Sequence, residues 1–293
     1  MSLESLALCT PAAVALYAAA AHFGAPSGVL LACKALPALG VGAHLWLDGC
    51  WARAGLAARY QRAVCAAALG CALGDVLLEL DKLALCPAGA PCFLAGLAAF
   101  LCAHVLLTLG FRTQRAARGG TWPRAPAFGV AIYGYCALLF TQLLPSLHPD
   151  PVLVLGVGAY AIAIGTMLFS ACAWQHSARS PIVDLEPPQL AVAGAALFVL
   201  SDSLLAWNRF VAPFPHAQRW ILGTYFSATQ LLGLSVRTPT AVMDRRSKCR
   251  SRIGKSLQAW CGVCAGAGSL RPEPAVGYRH GLHEGHPQRP LSS

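Results

Sequence analysis

The stretch Leu197–Phe210, LFVLSDSLLAWNRF, decides how this chain is read, because it sets an ionisable residue, Asp202, inside an apolar run that otherwise reads as membrane-spanning. A second run, Cys65–Leu80, does the same with Asp75 in the setting LGCALGDVLLEL. A carboxylate in hydrocarbon costs several kcal/mol on any transfer scale, so such a residue is retained for a task and faces a partner or a cavity. Two of them in one chain point to an active centre built between helices.

The rest of the chain fits that setting. Of 293 residues, 56% are hydrophobic and 12% charged, and the mean hydropathy is +0.55. Apolar runs recur at the length of roughly 20 residues that a helix needs to cross about 30 Å of hydrocarbon. Spans are expected at about 5–23, 27–47, 61–80, 91–111, 126–145, 151–174, 188–208 and 217–236. The fold class is therefore all-α, a polytopic membrane bundle of eight transmembrane helices. Residues 1–237 read as the eight-helix transmembrane catalytic domain. Residues 238–293, rich in Arg, Gly, Pro and Ser, read as a disordered basic cytosolic tail. The opening MSLESLALCT has no cationic stretch, so residues 5–23 are taken as a first helix and not as a cleaved signal.

The net charge of +10 would suggest nucleic acid in a soluble protein. Here most Lys and Arg fall in short loops and the tail, and nucleic acid is not expected as a partner. Arg53, Arg59 and Arg62 follow the second span, Arg112, Arg115, Arg118 and Arg124 the fourth, and Arg179 the sixth. The alternate loops carry little beyond Lys82 and the helix-edge Arg209 and Arg219. That alternation predicts both termini in the cytosol. Most of the 13 cysteines lie in apolar runs, where cysteine packs as a small hydrophobe. Cys261 and Cys264 form a CxxC without a second pair, so no metal and no cofactor are expected. In CPAGAPC, Cys86 and Cys92 are either bridged or free.

Counting along the helices places the polar groups in depth. At 1.5 Å per residue Asp75 lies roughly 8 Å and Asp202 roughly 9 Å from the lumenal ends of their spans, and Lys34 roughly 11 Å. Tyr225 falls near the same level. Groups from four helices at one depth suit a shared cavity; the plainer alternatives are an interhelical hydrogen bond or an ion pair of Lys34 with one aspartate. Glu79, one turn beyond Asp75, reads as a solvated helix end. His104 falls roughly 8 to 10 Å below the layer on a straight helix. The small residues Gly70 and Gly74, and Ala191, Gly194 and Ala195, predict close helix approach, and with it that the two aspartate helices are neighbours.

Several of these pieces resemble one family. CKALP (Cys33–Pro37), GDVLLEL (Gly74–Leu80), FLAGLAAFLCAH (Phe93–His104), GAALFVLSDSLLAWNRF (Gly194–Phe210) and TYFSATQLLGLS (Thr224–Ser235) resemble, in order, the motifs of the YhhN-type membrane proteins, over roughly residues 5–236. The resemblance implies an eight-helix enzyme of the endoplasmic reticulum that cleaves the vinyl ether of lysoplasmalogens, giving a fatty aldehyde and glycerophosphoethanolamine or glycerophosphocholine. By motif match Lys34, Asp75, His104, Ser201, Asp202 and Tyr225 would form the site. One departure stands out: Phe226, Ser227, Ala228 and Thr229 precede Gln230 where the family has two tyrosines and two small residues. The match therefore fixes Tyr225 to within one position.

Vinyl ether hydrolysis begins with protonation of an alkene carbon, and water then captures the oxocarbenium ion. The slow step needs an acid still protonated at neutral pH, which a carboxyl group in an apolar site supplies. One aspartate would be the acid and the other would stabilise the cation and orient water; the sequence leaves the division open. Lys34 would hold the lipid phosphate, and His104 would shuttle a proton or bond the substrate. The partners implied are a lysophospholipid, membrane lipids and, as an open alternative, a second copy of the chain. Two other readings compete. In a proton-coupled transporter the same charges form a relay, but no clear repeat relates 1–120 to 126–236. In a non-catalytic lipid-binding protein the aspartates would affect stability alone.

Overall fold

With no water in hydrocarbon, every backbone N–H and C=O must be satisfied within the chain, and helices do this locally. The structure, a computed structural model, describes residues 3–48, 54–87, 91–117, 126–177 and 187–236. It is all-helical there: α1 Leu3–His22, α2 Ser27–Leu47, α3 Leu56–Lys82, α4 Cys92–Ala117, α5 Pro126–Leu147, α6 Pro151–Ser177, α7 Pro187–Phe210 and α8 Ala217–Leu234. Each expected span is one of these helices. Among the described residues α2 to α7 are long and apolar enough to cross a membrane, so the chain is a multi-pass membrane protein. α8 falls short by composition, diluted by Gln218, Arg219, Thr224, Tyr225, Thr229 and Gln230. The expected tail, with Cys261 and Cys264, lies outside the described residues.

α3 begins ahead of its apolar run and α4 outlasts its own, taking in Arg59, Arg62, Arg112 and Arg115. Hydropathy registers only the hydrocarbon core, whereas a helix continues through the headgroup region. α3 packs on α2 and α4, α7 on α8, and α4 and α5 on α6. Cys86 and Cys92 are joined by a disulfide across the α3–α4 connection.

The small-residue faces are used, but not on each other. A Cβ on Gly74 would sit 2.5 Å from the Phe100 ring of α4, and one on Gly194 would sit 2.9 Å from Leu232 and 3.0 Å from the Ala228 carbonyl of α8. α3 and α7 make no backbone-level packing with one another among the described residues, contrary to the expectation that they are neighbours. A stripe of glycine and alanine shows that something approaches closely, and not which helix. Gly74→Ala should destabilise the bundle by about 1–3 kcal/mol, the scale of overpacking. Unfolding of the purified variant in mixed micelles measures this; an unchanged midpoint would mean that the ring has room to retreat.

Candidate active site

Asp75 lies past the middle of α3, is 2% exposed and accepts a hydrogen bond of 2.6 Å from the Tyr225 hydroxyl of α8. The next residue, Phe226, is fully buried as hydrocarbon packing. Tyr225 is thus the residue of this pair that brings a hydroxyl to the aspartate.

Asp202, on α7, accepts a short hydrogen bond from Tyr160 of α6. The Tyr160 oxygen is also 2.8 Å from His104 Nε2, which stands 3.5 Å from Asp202 Oδ2. His104 is buried edge-on between the rings of Tyr160 and Phe198, with Nδ1 3.3 Å from Met167 Sδ. His104 therefore touches Asp202 and does not lie a turn or two away from it. Helical side chains lean toward their own N-terminus. The start of α4 meets the end of α7, where Phe93 packs on Phe210, so the two helices run in opposite directions and His104 and Asp202 lean toward each other. Counting Cα positions misses that lean.

Lys34 pairs with neither aspartate. Its ammonium donates to Glu79 Oε2 at 3.1 Å, while Glu79 Oε1 accepts from Tyr17 at 2.6 Å and from Lys82 at 3.2 Å, and Lys82 also donates to the Tyr17 oxygen at 2.7 Å. Glu79 is not a solvated helix end; it is fully buried, because α3 runs on to Lys82 while Tyr17 of α1 and Lys34 of α2 cover this turn. A buried carboxylate is tolerable when it is paired and its lone pairs are used, and here three donors do so.

Ser201 is 1% exposed and spends its hydroxyl on the Ile221 carbonyl of α8 at 3.0 Å. Lys34, Asp75, Ser201, Asp202 and Tyr225 all line one cavity of about 320 Å³. Lys82, Arg209 and a few uncharged polar side chains also line it, and most of the rest of its wall is apolar, with Leu139, Phe140 and Leu143 of α5 and Val157 and Ile164 of α6 among the contributors. His104 supports Asp202 from behind that wall. Two residues escaped the sequence reading, Tyr160 and Tyr17. The available signal was weak: a tyrosine in an apolar run needs a partner for its hydroxyl once buried. Among the described residues no group of three His, Cys, Asp or Glu gathers at metal-binding distance.

Fold and site together define a class: a helical multi-pass membrane protein with two carboxylates from separate helices facing one cavity with a largely apolar wall. The YhhN family model matches residues 29–236, and the chain belongs to the YhhN family. Lysoplasmalogenase TMEM86B of Sus scrofa is 35% identical over 211 residues, 72% of this chain and 76% of that one. Lysoplasmalogenase TMEM86B of Homo sapiens is 31% identical over 212 residues, covering 72% and 77%. Lysoplasmalogenase TMEM86A of Homo sapiens is 30% identical over 144 residues, covering 49% and 55%. No solved structure matches the chain.

Proposed function

We propose that this protein is a lysoplasmalogenase, hydrolysing the vinyl ether of alkenyl glycerophosphoethanolamine or glycerophosphocholine to a fatty aldehyde and the glycerophospho head group. The observation that carries the reading is the placing of Asp75 and Asp202 on one cavity with different partners. Asp75 accepts one hydrogen bond, from Tyr225, which leaves its other oxygen to hold a proton. On Asp202 the Tyr160 hydroxyl and His104 converge at the same oxygen, which holds that carboxyl group in place on the cavity wall. Asp75 then delivers its proton to the alkene carbon. Asp202 stabilises the oxocarbenium ion, orients the water that attacks it and accepts that water's proton. The glycerol oxygen of the hemiacetal then leaves with the proton held by Asp202, and the aldehyde carbonyl forms as its own O–H proton passes to Asp75, which returns both carboxyl groups to their starting states.

In this scheme Lys34 belongs to the head-group end, where its ammonium is paired with Glu79. Tyr225 holds Asp75, His104 holds Asp202, and Ser201 fixes α7 against α8. The proposal extends to residues 1–237 as the catalytic domain, to the endoplasmic reticulum membrane, and to cytosolic termini by the Arg-rich loops. The full-length protein, purified in detergent and given lysoplasmenylethanolamine, should release aldehyde and glycerophosphoethanolamine in equal amounts. Intact substrate after prolonged incubation would overturn the reading.

A further inference from the structure

Lys34, Lys82 and Arg209, from α2, α3 and α7, all line one end of the cavity. Their counter-charges there are two carboxylates. Glu79 is shared by both lysines, at 3.1 and 3.2 Å, and Asp81 takes Arg209 at 3.0 Å. The other two carboxylates on the cavity are held elsewhere, Asp75 by Tyr225 and Asp202 by Tyr160 and His104. Three cations thus share two anions, and one positive charge is left over.

Unused donors accompany that charge. An ammonium has three N–H groups, of which Lys82 directs one to Glu79 and one to Tyr17, and Lys34 directs one to Glu79. Arg209 directs Nη2 to Asp81 and is steadied by the Phe93 ring, whose centroid is 3.9 Å from the guanidinium carbon. The rest of its planar fork suits an oxyanion. Lys82 and Arg209 keep 48% and 40% of their side chains exposed, so an incoming group reaches them without first displacing packed residues.

We propose that this end binds the phosphodiester monoanion of a single-chain lipid, with Lys82 and Arg209 as its principal ligands and Lys34 beneath them. The lipid as occupant rests on the function proposed above; the make-up of the cavity supports it, since the cations share its lining with an apolar wall that includes Leu139, Phe140 and Leu143 of α5 and Val157 and Ile164 of α6. A free phosphate would match the cations and leave that wall uncovered.

The test is binding to the full-length protein in detergent, independent of turnover, using two non-cleavable probes: an alkyl glycerophosphocholine and the corresponding alkylglycerol without phosphate. The wild type should bind the phosphodiester at least about tenfold more tightly, the scale of one hydrogen bond to a charged group. Lys82→Gln and Arg209→Gln should remove most of that preference while leaving alkylglycerol binding in place. Asp81→Asn, which takes away a competing carboxylate, should tighten phosphodiester binding severalfold, a gain that no unfolding could produce. Inorganic phosphate and free glycerophosphocholine should fail to compete at concentrations where the lipid saturates. Equal affinity of the wild type for both probes, equal loss of both probes in the variants, or competition by inorganic phosphate at lipid-like concentration would each overturn the site. Aldehyde release is scored separately. A phosphodiester preference without aldehyde would sink the activity and keep the site; aldehyde without the preference would do the reverse.

Discussion

Asp75→Asn and Asp202→Asn should each lower aldehyde release by at least about a hundredfold, the usual scale for losing a general acid or base. The losses have different origins. Asparagine at position 75 still accepts the Tyr225 bond but has no carboxyl proton to deliver. At position 202 it keeps the volume beside Tyr160 and His104 but removes the charge facing the developing cation. In the proposed mechanism the two residues act on one substrate in one cavity, so the double variant should be scarcely slower than the slower single. Each protein should unfold at a denaturant level near that of the wild type. Aldehyde release by a folded single variant within a few fold of wild type would remove that aspartate from the mechanism.

Glu79→Leu should be the most destabilising single substitution at this end of the bundle. It strips the shared acceptor from two ammoniums and a phenol, and Lys34, with 11% of its side chain exposed, is left as a buried uncompensated charge. Orphaning one partner of a buried pair costs about 3–5 kcal/mol, and Lys34 carries most of it because Lys82 is half exposed and solvent screens it. Adding Lys34→Met to Glu79→Leu should restore much of the loss, since replacing a buried pair by hydrocarbon is often close to neutral. Unfolding of the single and double variants in mixed micelles decides the matter. A single variant as stable as the double would show that Lys34 does not depend on Glu79.

Much of this was legible in the residues themselves. Asp75, Asp202 and Lys34 declare themselves because an ionisable group in an apolar run violates its surroundings, and the eight helices follow from the length of those runs. What stayed hidden was partnership. Lys34 called for a counter-ion, but that it is Glu79 and not an aspartate depends on α1 lying over the turn. His104 looked remote because residue counting follows Cα atoms and ignores the lean of side chains. Tyr160 had no visible mark, since a tyrosine among alanines and isoleucines is ordinary in composition; only packing of α6 on α4 and α7 joins its hydroxyl to both His104 and Asp202. The glycine stripes showed close approach correctly, yet the helices they meet are α4 and α8.

The cavity is cationic at one end and greasy along α5 and α6, and α5 is the least covered of the six spans. For the proposed reaction this asymmetry sorts the products by solubility. The glycerophospho head group leaves toward water past Lys82 and Arg209, while the aldehyde has a hydrocarbon route into the surrounding leaflet. Once parted, the two have no common phase in which to recondense. The direction of cleavage is set by the free energy of hydrolysis and of aldehyde transfer into lipid; the two-sided lining gives each product a short path to its own phase, with the bilayer acting as the extracting solvent.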